Sequence, residues 1–221
     1  MPDTTIADRL AGIRALIDKA ARERAVQGPK VTLVAVSKTH GQDAVLAAMA
    51  AGATHFGENR VQEAAAKFSD LRAAHDFRLH LIGGLQTNKA AEAMALCDMI
   101  ESLDRPKLAV AIESLAVRGA KLPDLLVQVN IGDEPQKSGI PTHEADRFIG
   151  EAMARFGPKL CGLMAIPPAG LDPTPYFQAL ARLADKHRLA VRSMGMSADF
   201  EIAIAQGATH VRVGSALFGA R

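Results

Sequence analysis

Lys38 follows a short apolar run, VTLVAVS at 31–37, and an amine in that position can act as a nucleophile. In an extended strand Val34, Val36 and Lys38 share one face, while Leu33 and Ala35 share the other. If the first face lines a barrel, the amine emerges at the C-terminal mouth. An apolar surround penalises the ammonium and raises the neutral fraction, which can attack an aldehyde and form an imine. A solvent-facing lysine that merely ends a strand is the competing reading. Other polar residues stand at similar strand ends: Glu58 and Asn59 after THFG, His80 within LHLIG, and Asn130 after LLVQV. Three of these also have an ordinary reading. Glu58 suits a local ion pair, Asn59 a helix N-cap before RVQEAA, and His80 a buried hydrogen-bonded core position.

The C-terminal part of the chain adds two Gly/Ser turns, RSMGMS at 192–197 and RVGSA at 212–216. Gly195 permits a tight turn, and Ser193, Ser197 and nearby amides can face an oxyanion. Gly214 and Ser215 offer the same chemistry after the next strand. Ordinary loop and capping roles compete here as well. With a lysine across the same mouth, the two turns suit a ligand carrying an amine-reactive carbonyl and a phosphate. Pyridoxal phosphate has both groups; so does a phosphosugar that reacts through a Schiff base. No carboxylate base opposite the lysine is evident, which weighs against simple isomerase chemistry.

The elements needed to bring these residues together are legible as an alternation. Apolar runs begin near Val31, Thr54, Leu79, Asp98, Leu125, Leu160, Ala190 and His210. Helical segments are expected between them at 42–51, 60–73, 88–95, 106–119, 142–155, 174–187 and 198–206. A leading amphipathic helix is expected over 4–27, with Ile6, Leu10, Ile13 and Leu16 or Ile17 on one side, before the stop at Gly28 and Pro29. This pattern predicts an α/β fold: a single (β/α)8 TIM barrel with an additional N-terminal helix, spanning 1–221 as one domain. A doubly wound open sheet is the alternative, but no GxGxxG follows the first run.

Composition narrows the function classes. The hydrophobic share of 48% excludes a largely disordered chain. Lys and Arg total 26 against 24 for Asp and Glu, too even a balance for a nucleic-acid-binding surface. Cys97 and Cys161 lack CxxC or zinc spacing, so neither a disulfide framework nor a metal site is expected. No run is long enough to span a bilayer, and MPDTTIADRL does not read as a signal peptide; a cytoplasmic location is expected.

Several segments resemble the pyridoxal phosphate homeostasis protein family. They are VAVSKTH at 34–40, FGENRVQE at 56–63, HLIGGLQTNK at 80–89 and SLDR at 102–105. The resemblance continues through VNIGDEPQKSG at 129–139, GLMAIPP at 162–168, SMGMSADFEIAI at 193–204 and VRVGSALFGAR at 211–221. It implies a barrel related to the N-terminal domain of bacterial alanine racemase. It also implies that Lys38 forms an internal aldimine with pyridoxal 5'-phosphate, and that Ser193, Gly195, Gly214 and Ser215 hold the phosphate. Arg212 corresponds to an arginine near the pyridine nitrogen, Asn59 to a residue that positions the ring or the lysine, and His80 to a residue of the matching strand with a cofactor contact. Two positions depart from the family pattern. Gly84 replaces a usually bulkier residue, which would enlarge the mouth, and Ser215 stands where threonine is common.

The function implied is intracellular pyridoxal phosphate homeostasis: holding the cofactor for buffering or for delivery to apo enzymes that depend on it. No catalytic residue is assigned. A monomer or weak dimer is expected, with neither nucleic acid nor membrane as partner. A racemase or lyase acting on amino acids is the alternative. Alanine racemase uses a second domain and a tyrosine base, whereas here FGAR ends the sequence and Tyr176 is the only tyrosine. A guanidinium at Arg212 would also disfavour pyridinium protonation and weaken the ring as an electron sink.

Overall fold

Thr5 starts the first helix. Its hydroxyl accepts the Asp8 N–H, and the Asp8 carboxylate accepts the Thr5 N–H, a capping box that satisfies two donors at the helix start. Helix α1 (Ile6–Glu23) then buries Leu10, Ile13, Ile17 and Ala20 on one stripe. It stops at Glu23 because Arg24 turns extended, short of the expected end. The computed structural model describes residues 4–24 and 28–219, so positions 25–27 of the expected helix lie outside the described residues.

The strands are β1 (Thr32–Val36), β2 (His55–Glu58), β3 (Arg78–Leu81), β4 (Met99–Leu103), β5 (Asp124–Asn130), β6 (Ile140–Pro141), β7 (Leu160–Ala165), β8 (Val191–Met196) and β9 (His210–Val213). The helices between and after them are α2 (Gln42–Ala50), α3 (Val61–Phe68), α4 (Ala90–Leu96), α5 (Pro106–Val117), α6 (Thr142–Phe156), α7 (Thr174–Lys186), α8 (Phe200–Ala205) and α9 (Ser215–Phe218). Sheet order is β4-β3-β2-β1-β9-β8-β7-β5, and pairing of β4 with β5 closes the ring. Every pairing is parallel, so the eight long strands form the expected closed barrel with helices around it. The two-residue β6 pairs with β5 beside the ring.

Most of the core lies between barrel and helices. Phe56, Phe68 and Phe77 meet there with ring centroids 5.3 to 6.2 Å apart. Each such fully buried side chain contributes about 1.5–3 kcal/mol relative to exposure. Met99, Leu126 and Met164 form a separate small cluster. Their neighbours Ile100, Leu125 and Leu163 belong to the outer core, so strand alternation assigns the methionines and Leu126 to the barrel interior.

Three details differ from the expected elements. The helix expected over 60–73 divides into α3 and a 3-10 turn at Asp70–Ala73. β6 and α9, with two and four residues, are too short to carry a periodic signal. Among the described residues no helix is long and apolar enough to cross a membrane, and Cys97 and Cys161 are not joined.

Candidate functional site

A cavity of about 670 Å³ opens at the C-terminal ends of the strands. Lys38, Asn59, Arg212, Gly214 and Ser215 line it together with Ser197. Closure of the barrel makes β1 and β9 neighbours, with Val34 opposite Arg212 and Ala35 opposite Val213. Lys38 and the Gly214–Ser215 turn therefore leave adjacent strands. This corrects the expectation that they face each other across the mouth.

Lys38 is half-buried in a tight turn. The His40 N–H donates to the Ser37 carbonyl at 3.1 Å, and Thr39 takes the left-handed conformation at φ 68°. Asn59 lines the cavity but is not a helix cap, since Arg60 occupies the N-cap of α3. Its backbone is crowded by the loop after β3. A Cβ on Gly83 would lie 2.3 Å from the Asn59 carbonyl oxygen, so only glycine fits there. At Gly84 a Cβ would make only an ordinary van der Waals contact, with Ser138 Oγ at 3.9 Å. A bulkier residue there would occupy part of the mouth.

Gly195 has φ 91°, and a Cβ on it would sit 2.6 Å from that of Ala203. It lets α8 pack directly on β8. The turn beyond it is fixed by Asp199, whose carboxylate accepts the Met196 N–H at 2.6 Å and whose own N–H donates to the Met196 carbonyl at 3.1 Å. This brings Ser197 to the cavity beside Ser215 and Gly214. The first N–H groups of α9 have no partner within that helix and add backbone donors at Ser215.

Ser193 and His80 do not line the cavity. Both are fully buried within the barrel, in a polar chain whose side chains come from five strands, β2, β3, β4, β8 and β9. Arg212 Nη1 donates to Ser193 Oγ at 2.7 Å, and Ser193 Oγ donates to Glu101 Oε2 at 2.5 Å. His80 Nδ1 lies 2.7 Å from Glu101 Oε1, and His80 Nε2 lies 2.9 Å from His55 Nδ1. Arg212 Nη2 also donates to the Ala165 carbonyl at 3.0 Å. The buried-histidine reading of His80 is the one observed.

Glu101 is the residue that sequence reasoning missed. Burial pushes its carboxyl up, but the hydrogen bond and charge of His80, the Arg212 guanidinium and the Ser193 hydroxyl bring it down to about 2. An ionised carboxylate only accepts, so His80 Nδ1 carries a hydrogen. Burial lowers the Arg212 pKa, opposed by Glu101 and Asp199. Gln128 and Lys137 also line the cavity without having been singled out. Lys137 is held by the Pro167 carbonyl at 3.1 Å and by Glu134 at 2.5 Å. Asn130, by contrast, folds back on its own loop, donating to the Glu134 carbonyl at 2.8 Å. Glu58 forms the ion pair considered for it, with Lys67 at 2.8 Å.

The donor set suits a flat aldehyde that bears a phosphate. It combines the half-buried amines of Lys38 and Lys137, the buried Arg212 guanidinium, the hydroxyls of Ser197 and Ser215, and a glycine turn at the start of a helix. At Gly214 a Cβ would stand 3.2 Å from the Val36 carbonyl oxygen, so the glycine keeps the backbone close to β1.

The sequence profile described as alanine racemase, N-terminal domain, matches residues 13–221. The pyridoxal phosphate homeostasis protein of Aquifex aeolicus is 38% identical over 224 residues, covering 97% of each chain. The protein of that name from Escherichia coli is 38% identical over 229 residues, covering 98% of this chain and 97% of its own. The structure of PipY from Synechococcus elongatus with PLP bound aligns at a TM-score of 0.82 and 36% identity, covering 97% of this chain and 100% of PipY. Alanine racemase from Corynebacterium glutamicum is 22% identical, with a TM-score of 0.66 over 97% of this chain and 61% of the enzyme, and shares the barrel fold. Near-complete coverage at this identity shows that the chain belongs to the pyridoxal phosphate homeostasis protein family.

Proposed function

We propose that this chain binds pyridoxal 5'-phosphate in the mouth cavity and serves its homeostasis in the cytoplasm, without acting as an enzyme. The cofactor would be held for buffering or for delivery to apo enzymes that require it. The convergence of Lys38, Arg212, Gly214 and Ser215 on one cavity carries this reading. The names of the relatives and the PLP bound to PipY support it.

When bound, pyridoxal phosphate supplies an aldehyde and an electron-poor ring. In this reading Lys38 is the covalent tether, while Asn59 limits where the ring and the amine can lie. Ser197, Ser215 and the amides at Gly214 and Ser215 face the phosphate. Gly195 keeps the Ser197 turn in place. Arg212 faces the ring nitrogen, with Ser193 and His80 acting behind it through Glu101. A fixed cation at that nitrogen disfavours its protonation and weakens carbanion chemistry, which favours a carrier over a racemase. Tyr176 packs against the core from α7 and is not a cavity-lining residue, which also favours a carrier.

Borohydride reduction followed by peptide mass mapping tests the tether. The expected result is a single pyridoxyl adduct, on Lys38. An adduct confined to another lysine, or none in verified holoprotein, overturns the assignment. Incubating loaded protein with individual amino acids tests the carrier reading. Sustained racemisation or elimination that disappears in Lys38→Ala would make the protein an enzyme.

A further inference from the structure

We propose that the ion pair between half-buried Lys67 and buried Glu58 is a positioning device for Lys38, clamping Ser37, the residue before the amine, from outside the barrel wall. This rests on the reading of Lys38 as the covalent tether. Neither member of the pair is a cavity-lining residue, and both are hydrogen-bonded to Ser37.

Ser37 is fully buried, and each of its polar groups is bonded. Its N–H donates to the Gly57 carbonyl at 3.2 Å. Its hydroxyl donates to Glu58 Oε1 at 2.7 Å. Its carbonyl accepts from Lys67 Nζ at 2.7 Å and from the His40 N–H at 3.1 Å. Lys67 Nζ also donates to Glu58 Oε1 at 2.8 Å, so one ammonium joins the carbonyl of Ser37 to the acceptor of its hydroxyl. Gln42 ties α2 to the same point by donating to the Lys67 carbonyl at 3.0 Å.

The location explains the need. β1 ends at Val36, so the strand ladder no longer fixes the backbone at Lys38. The chain then enters the left-handed Thr39, a conformation that a branched side chain adopts only when its surroundings impose it. Holding Ser37 at four points defines the direction in which the lysine side chain departs. Reaction with an aldehyde depends on that direction, because the amine nitrogen must approach the carbonyl carbon along a narrow path. The nitrogen bonds to that carbon, and the carbonyl oxygen leaves with two protons as water.

The pair is also costly in a way that simple packing does not explain. Glu58 is fully buried, and its Oε2 has no hydrogen-bond partner. Buried ion pairs are commonly replaced by apolar groups without loss of stability. Apolar contacts already join α3 to the barrel nearby, through Phe56 and Phe68. What apolar residues cannot supply is a donor for the Ser37 carbonyl and an acceptor for its hydroxyl.

The test compares two quantities in apo protein. One is the rate of C=N bond formation on mixing with pyridoxal phosphate, followed by absorbance. The other is the affinity for 4'-deoxypyridoxine 5'-phosphate, which lacks the aldehyde, measured by calorimetry. In the double variant Glu58→Gln with Lys67→Met, bond formation should slow about 10- to 100-fold while affinity for the analogue changes by less than about twofold. Lys67→Arg, which keeps a cationic donor, should recover much of the rate. If the double variant does not fold, Ser37→Ala removes only the hydroxyl contact and should show a smaller loss of the same kind. Wild-type rates in the folded variants, or equal losses for aldehyde and analogue, would overturn the proposal. An adduct of the wild-type protein away from Lys38 would sink the tether reading and this one together. An adduct on Lys38 with unchanged variant rates would sink the positioning role alone.

Discussion

Ser193 and Ser215 carry the same hydroxyl, and the sequence pattern treats them alike. Their surroundings separate them. Ser215 lines the cavity, whereas Ser193 joins Arg212 to Glu101 inside the barrel. Replacing Ser215 with Ala should weaken pyridoxal phosphate more than pyridoxal, by about 1.5–3 kcal/mol if one hydrogen bond to the phosphate is lost. Replacing Ser193 with Ala should weaken both vitamers to a similar degree and lower the melting temperature, because Glu101 and Arg212 each lose a partner. Titration with both ligands, alongside thermal unfolding, distinguishes the two. A selective loss of pyridoxal phosphate binding in Ser193→Ala would contradict this division of roles. Lys38 could be singled out from its position after an apolar strand, and Arg212 from the family resemblance of the VRVGSA segment. Glu101 could not, because MIESL reads as an apolar strand and its partners come from β3, β8 and β9. A lone carboxylate inside an apolar run is the one signal that would have pointed to it.

Strands were legible to within about a residue at their starts, since their β-branched runs are bounded by polar turns. Helix ends were less so: α1 stops early at an extended Arg24, and α3 breaks before a 3-10 turn. Tertiary contact decides such ends, and periodicity does not encode it. The β8–α8 junction gives a sharp test at this scale. Gly195→Ala must place a Cβ at φ 91° and 2.6 Å from the Cβ of Ala203. Backbone strain of about 1–3 kcal/mol adds to an overpacking cost of similar size. Chemical denaturation should show that loss, and displacement of α8 should carry the Ser197 turn with it and weaken ligand binding. Gly84→Ala is the control on the opposite side of the mouth. Its Cβ makes only an ordinary contact, with Ser138 Oγ at 3.9 Å, so stability should change by less than about 0.5 kcal/mol. Equal losses at the two glycines would mean that the close packing of α8 on β8 does not set the cost.

Closing eight strands into a barrel creates an interior that periodicity alone describes only as alternate residues. Here that interior holds a polar column, from Arg212 through Ser193, Glu101 and His80 to His55, with the His210 ring 5.9 Å from that of His80. Such a column makes stability depend on pH in two windows. Burial, together with the neighbouring His80, lowers His55 to about 4, and burial does the same for His210. Their usual value is 6.5, so between pH 6.5 and about 4 the unfolded chain binds protons that the folded chain refuses. Stability therefore falls as pH drops through that range. Glu101, at about 2 instead of 4.5, continues the fall between those values, because the unfolded carboxylate protonates first. Each proton of difference contributes a slope of about 1.4 kcal/mol per pH unit. Urea unfolding from about pH 2 to about pH 8 is the measurement, a range that spans both windows. His210→Asn should flatten the slope between pH 6.5 and 4 while leaving the acid portion intact. Glu101→Gln should be less stable than wild type at neutral pH, with the gap narrowing as pH falls below 4.5. Parallel curves for wild type and both variants would show that these buried groups do not govern acid stability.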